Sequence, residues 1–192
     1  MTRTIFNTPI ISTICQRLAS FILWITGWET TGSPPDFKKY VLICGPHTSN
    51  WDFPLLLLVM LDYRIGIQVL GKKSLFPFGF GWLMRWLGLI PVDRSKSTNL
   101  SSQVVDAFNA SDQMVLVIAP EGTRGKVGKF KTGFYHIALG GKIPIVLGYC
   151  DYSSKQAGFG PTVEPTGDID SQLPEIQAFF RGIPGKNPQQ GM

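Results

Sequence analysis

The chain has 192 residues, 44% hydrophobic and 16% charged, which places it among globular proteins with enough length for one domain and a substantial core. A formal net charge of +5 and a pI of about 9.2 suit an anionic partner: nucleic acid, an anionic membrane surface or a phosphorylated substrate. Three scattered cysteines, no CxxC pair and two histidines argue against a disulfide framework and against a structural zinc site, and read as reduced thiols in a reducing compartment.

In chain order, the first 28 residues read as one helix. Ile10, Ile11, Ile14, Cys15, Leu18, Ile22 and Ile25 recur at intervals of three and four, while Thr13, Gln16, Arg17 and Ser20 lie off that stripe. Gln16 and Arg17 interrupt the apolar run, so it falls short of the about 20 residues of a bilayer span and lacks a clean secretory cleavage site. With Trp24 and Trp28 at its end, the helix suits the membrane interface; packing its stripe on its own domain is the alternative. "WETTGSPPDFKKY" is a strand or turn broken by Pro34-Pro35. "YVLIC" at 40–44 is a buried strand, and a helix covers 53–62. A second strand lies in "IGIQVLGKK", then come a short helix in "FGFGWLMRWLGLI" and a strand in "LIPVDR". "STNLSSQVVDAFNAS" is a helix capped among Ser97, Thr98 and Asn99. "MVLVIAP" is apolar enough for both of its faces to be covered. A helix in "GFYHIALGG" ending at its glycine pair, a strand in "IPIVLGYCDY", a helix in "IDSQLPEIQAFF" and a frayed tail "GKNPQQGM" complete the chain.

Strands and helices alternate, and most strands are unbroken apolar runs. The expected fold is therefore an α/β layered domain with a largely parallel central sheet flanked by helices, preceded by the amphipathic N-terminal helix. In such sheets ligand sites collect beyond the carboxyl ends of the strands. "CGPHTSNWD", "LGKKSLF", "PVDRS" and "APEGTRGK" each follow a strand, so four polar clusters can converge on one cleft.

The first cluster places His47 on a loop and Asp52 at a helix start, with Pro54 in the first turn. A carboxylate there can hold one imidazole tautomer and stabilise the imidazolium that forms when histidine takes a proton. No GxSxG elbow is present, so the simple use of His47 is as general base on a substrate hydroxyl. The bland alternative is a turn histidine beside a helix-capping aspartate. Backbone N–H groups at the start of the following helix are the expected donors to a developing oxyanion. In "APEGTRGK", Arg124 offers a planar fork for phosphate, with Lys126, Lys129 and Lys131 nearby; the alternative is a solvated turn in which Glu121 and Arg124 pair. Gly71 would let a loop approach a ligand, and Lys72, Lys73 and Arg94 could gather phosphate charge, although no GxxxxGK[ST] phosphate loop occurs.

"HTSNWD" has the H-x4-D form, and "GKKSLF", "PVDR", "PEGTR" and "IPIV" at 143–146 follow it in order over about 100 residues. In these blocks the chain resembles the glycerolipid acyltransferases, and among them short bacterial 1-acylglycerol-3-phosphate acyltransferase-like (lysophospholipid acyltransferase) proteins. The best-known members carry Asn where this chain has Pro46. The resemblance implies transfer of a fatty acyl group from acyl-CoA or acyl carrier protein to the hydroxyl of a lysophospholipid or glycerol phosphate, foremost 1-acylglycerol-3-phosphate, giving phosphatidic acid. It implies His47 as base with Asp52 as its partner, and acceptor binding by Gly71, Lys72, Arg94, Glu121, Gly122 and Arg124. It implies no metal, no cofactor and no nucleic-acid partner. Membrane lipids are the expected partners, at the cytoplasmic face of the inner membrane, with peripheral or monotopic attachment. The expected organisation is a membrane-interface helix at 1–28, the catalytic domain at 29–184 and a flexible tail at 185–192. A thioesterase or other hydrolase using the same pair on water, and a non-catalytic lipid-binding module, are the competing readings.

Overall fold

The computed structural model describes residues 3–92 and 100–190. Its elements, in chain order, are α1 (Ile11–Thr26), β1 (Glu29–Thr31), β2 (Lys39–Gly45), α2 (Asp52–Asp62), β3 (Gln68–Lys72), α3 (Gly81–Trp86) and β4 (Leu89–Val92). They continue with α4 (Leu100–Asn109), β5 (Met114–Ile118), α5 (Gly133–Gly141), β6 (Ile145–Asp151), β7 (Gln156–Val163) and α6 (Ile169–Phe180).

The strands form one seven-stranded sheet in the order β1-β7-β6-β2-β5-β3-β4. β2 pairs in parallel with β5 and β6, β3 pairs in parallel with β5 and β4, and β7 runs antiparallel to β6. The five strands that are parallel to one another therefore end on the same side of the sheet. Their apolar runs are explained by cover on both faces. Val41 and Ile43 of β2, Met114 and Leu116 of β5, and Ile145 and Leu147 of β6 pack against α4, α5 and α6 through Phe108, Phe134 and Phe180. The alternate residues Tyr40, Leu42, Val115, Val117 and Val146 pack against α2 through Leu55, Leu56, Val59 and Met60. Helix, sheet and helix thus make three layers.

Strand β7 is absent from the sequence reading. Its sequence "QAGFGPTV" is interrupted by glycine and proline and has no strong period. The physical reason is close packing: a Cβ at Gly158 would lie 1.8 Å from the carbonyl oxygen of Thr31 in β1, with which Gly158 pairs.

The first helix runs over Ile11–Thr26, where its apolar period lies, rather than over all of 1–28, since the described residues before Ile11 form turns; its apolar stripe faces outward. Ile10, Ile11, Ile14, Leu18, Phe21, Trp24 and Ile25 are all exposed, Trp24 to 74%. The buried side is Ala19 and Leu23, which lie against the α2 side of the domain, and Ser20 Oγ donates to the Asp62 carboxylate at the end of α2. Packing of the stripe on the chain's own core, one of the two sequence-based alternatives, is therefore not what the structure shows. Small and polar residues make the intramolecular contact instead. Among the described residues no helix is long and apolar enough to cross a membrane.

Candidate active site

The apolar run of β2 ends at Gly45, which is joined to Pro46 by a cis peptide bond. The chain then turns through His47–Trp51 into α2. At this turn His47 Nδ1 lies 3.0 Å from Asp52 Oδ2. The same oxygen accepts the backbone N–H groups of Thr48 and Ser49, each at 2.8 Å. The other oxygen, Oδ1, accepts the hydroxyl of Tyr152 at 2.8 Å. Burial alone would raise the Asp52 carboxyl; the bonds from His47, the Ser49 N–H and Tyr152, together with attraction to His47, outweigh it and hold the group below its ordinary value. Asp52 is therefore an anion at neutral pH. Its place in the first turn of α2 adds the favourable field of the helix N-terminus. An anionic Asp52 makes Nδ1 of His47 the protonated nitrogen and leaves the Nε2 lone pair as the basic site. The His47 side chain is 26% exposed and that of Asp52 11%, so the imidazole is reachable and its partner is shielded.

The loop after β5 approaches from beneath. Glu121 is 5% exposed, and its Oε1 accepts the backbone N–H of His47 at 3.0 Å. Its Oε2 is buried with no hydrogen-bond partner. Burial pushes the Glu121 carboxyl up, the backbone bonds and His47 pull it partly back, and the charge of Asp52 pushes it up again, with a net rise. Glu121 does not pair with Arg124, as one reading of this turn had it; it braces the His47 loop. Gly122 has φ of 65°, a left-handed conformation that favours glycine at this turn, and the flexible Lys131 side chain lies over it.

The other expected site residues are placed as follows. Lys72 is the exposed last residue of β3, and Arg124 is exposed in the loop after β5. Both follow strands parallel to β2, on the same sheet end as His47, and neither side chain contacts the His47–Asp52 pair in any described bond. Gly71 lies inside β3 rather than on a loop. The space a Cβ would fill there is bounded at 3.2 Å by Leu89 Cδ2 and Phe76 Cε2, so apolar packing is what the structure shows around this glycine. Arg94 and the expected cap residues Ser97, Thr98 and Asn99 lie outside the described residues. The expected oxyanion donors are N–H groups at the start of α2; those of Thr48 and Ser49, in the turn before it, are engaged by Asp52.

Sequence reasoning missed two participants. Tyr152 directly follows β6, a fifth strand ending on this side, which was the available signal. The second is the segment expected as a flexible tail. Asn187 donates from its backbone N to Thr48 Oγ1 at 3.2 Å and from Nδ2 to Thr48 O at 2.8 Å. Lys186 Nζ lies 4.6 Å from the centre of the Trp51 ring. Residues 185–190 therefore lie bonded across the His47–Trp51 turn. Asparagine supplies donors that the buried Thr48 backbone can use, and composition alone does not reveal this. Of the thiols near the pair, Cys150 is pushed up to about 12 by burial and by Asp52, and Cys44 is raised by burial, so neither is an available thiolate.

Residues 29–147 match the Acyltransferase family. The chain belongs to that family. It is 31% identical over 128 residues to the 1-acyl-sn-glycerol-3-phosphate acyltransferase of Haemophilus influenzae, covering 61% of this chain and 51% of that protein. It is 25% identical over 188 residues to the enzyme of that name from Pseudomonas aeruginosa, covering 85% of this chain and 72% of that one. The chain thus spans about half the length of the first of these relatives. The crystal structure of the 1-acyl-sn-glycerophosphate acyltransferase of Thermotoga maritima superposes with a TM-score of 0.65, covering 88% of this chain and 76% of that one at 15% identity. That likeness establishes the shared fold. Within this acyltransferase fold the His47–Asp52 turn, the end of β3 and the Glu121 loop all stand at one end of the sheet.

Proposed function

We propose that this acyltransferase-family chain moves a fatty acyl group from a thioester, acyl-CoA or acyl carrier protein, to the free hydroxyl of 1-acylglycerol-3-phosphate, giving phosphatidic acid for phospholipid synthesis. The observation that carries the reading is the Nδ1–Asp52 bond, which presents His47 Nε2 as a base at the exposed end of the parallel sheet. Nε2 takes the acceptor's hydroxyl proton as its oxygen attacks the thioester carbonyl. Asp52 stabilises the imidazolium. The tetrahedral intermediate then collapses, the C–S bond breaks, and the imidazolium returns the proton to the leaving thiolate. No cofactor enters this step. Lys72, Arg124 and Arg94 are proposed to take the acceptor phosphate, since each follows a different strand of the sheet. The names of the relatives support both the acceptor class and the reaction class.

The outward stripe of α1 supports action at a membrane surface, which we place at the cytoplasmic face of the inner membrane. Leu75, Phe78 and Phe80, exposed between β3 and α3, and Trp82 in the first turn of α3 add apolar surface beside Lys72 and Lys73. A chain lacking residues 1–28 is expected to leave the pellet when spun with anionic phospholipid vesicles; continued pelleting would move the anchor to the 75–82 segment.

The reaction is tested by following thiol release from acyl-CoA with and without 1-acylglycerol-3-phosphate. Release that depends on the acceptor and vanishes in His47→Ala supports transfer. Release that ignores the acceptor would make the chain a hydrolase, and full turnover by His47→Ala would remove the base role.

A further inference from the structure

Tyr152 stands just past the carboxyl end of β6, 100 residues from Asp52 in the chain, and donates its hydroxyl to Asp52 Oδ1 at 2.8 Å. Three features fix this phenol. Its ring meets the Trp28 ring edge-on, with centroids 5.0 Å apart and planes at 88°. Its backbone N–H donates to Pro184 O at 3.0 Å. Its hydroxyl is held well above its ordinary value by burial and then by the Asp52 carboxylate, so it stays a donor throughout the pH range in which a histidine base works. The carboxylate is thereby gripped at both oxygens: Oδ2 by the residues of its own turn, Oδ1 by a side chain anchored on another strand.

We propose that Tyr152 is a positioning residue for the reaction, locking the Asp52 carboxylate so that Oδ2 faces His47 Nδ1 and the neutral ring is kept as the Nδ1–H tautomer. This rests on reading the His47–Asp52 pair as the reactive centre. A carboxylate held through Oδ2 alone can rotate about its Cβ–Cγ bond, because that terminal torsion is broad. The bond from Tyr152 removes that freedom. Each rotation lost from the pair keeps Nε2 in the one orientation from which it can accept the hydroxyl proton.

The test is Tyr152→Phe, which keeps the ring against Trp28 and deletes only the oxygen. The imidazole ¹⁵N signals of the folded, substrate-free protein report the tautomer directly, and with two histidines in the chain the exposed His136 serves as internal reference. The expected result is a shift of the His47 nitrogens toward a tautomer mixture with His136 unmoved, and a fall in kcat of about 3- to 10-fold with KM for acceptor and donor little changed, as for loss of one hydrogen bond. Tyr149→Phe is the control. It deletes a hydroxyl of β6 that lies 2.7 Å from Thr31 Oγ1 of β1, away from Asp52, and should leave both readouts as in wild type. Wild-type tautomer and kcat in Tyr152→Phe would overturn the proposal, as would an equal effect from Tyr149→Phe. A tautomer shift in Tyr152→Phe alongside an undiminished His47→Ala enzyme would uphold the positioning bond and remove the catalytic reading, so the two failures are separable.

Discussion

Two carboxylates lie within one site and live by opposite rules. Asp52, on the turn after β2, accepts hydrogen bonds at both oxygens and is driven towards its charged form. Glu121, on the loop after β5, is buried more deeply, accepts the His47 N–H on one oxygen, keeps the other bare, and is driven towards its neutral form. The difference comes from donor supply. A folded chain can bury a carboxylate either by surrounding it with donors or by letting it hold a proton. The first choice yields a fixed negative charge able to steady an imidazolium, and the second yields a carboxyl biased towards its protonated form that braces the His47 backbone.

The largest expected break in this contrast is Asp52→Asn. The amide keeps the shape but loses the charge and faces the Thr48 and Ser49 N–H groups with a mixed donor and acceptor. Turnover should fall on the order of 10²–10⁴-fold, by the behaviour of triad aspartates, in steady-state assays at neutral pH. A loss of only a few-fold would place Asp52 with the structural carboxylates and erase the contrast. Next in size is Arg124→Ala, which tests whether the loop that carries Glu121 also binds the acceptor. Loss of a charge-assisted bond predicts about a 10- to 150-fold weaker apparent affinity for 1-acylglycerol-3-phosphate, with the acyl-CoA constant much less changed. Arg124→Lys should recover only part of it, because an ammonium cannot reproduce the two-pronged contact. A rise confined to the acyl-CoA constant would assign Arg124 to the donor's phosphates.

The smallest effect sharpens the sign of the comparison. Glu121 has a raised value in the folded state, so between the ordinary glutamate value of about 4.3 and that raised value the folded chain binds more protons than the unfolded one. Its contribution to stability is therefore greatest in acid and declines as pH rises through the folded value. Asp52 does the reverse, contributing above the unfolded aspartate value and losing that contribution as pH falls through its lowered folded one. Glu121→Gln removes the first dependence. Measured by thermal melting, the Tm of wild type relative to Glu121→Gln should fall as pH rises from about 4 to 7. A constant difference across that range would mean Glu121 is charged in the folded protein.

The parts of this arrangement that the sequence made legible are those with local signatures. The runs of β2, β5 and β6 are apolar because two helical layers cover them, and that pattern needs no partner to be recognised. His47 and Asp52 lie five residues apart across one turn, so their spacing allowed the contact that the structure shows. What was hidden depends on residues far apart in the chain. Tyr152 reaches Asp52 across 100 positions, and Asn187 reaches Thr48 across 139. Strand β7 was hidden because Gly158 makes room for the β1 backbone and Gly160 for the Phe179 ring, which leaves no apolar period to read. The period of α1 showed that the helix has an apolar side without showing that Ala19, Leu23 and Ser20 would face the domain.

Helix α2 has a further consequence. Its first residue, Asp52, holds the His47 turn, and its last, Asp62, accepts bonds from Ser20 of α1 and Thr30 of β1. The two carboxylates are bound to a common helical phase, since each residue of an α-helix advances the side chain by about 100°. One extra residue between Leu57 and Leu58 would leave helix length and composition nearly unaltered yet rotate one end against the other by that angle. If Asp62 kept its partners, Asp52 would point away from His47, and if Asp52 kept its partners, α1 and β1 would lose theirs. Such an insertion should abolish the proposed acyl transfer with circular dichroism intact, whereas the same residue added to the turn after Asp62 would leave the phase, and His47, where they are.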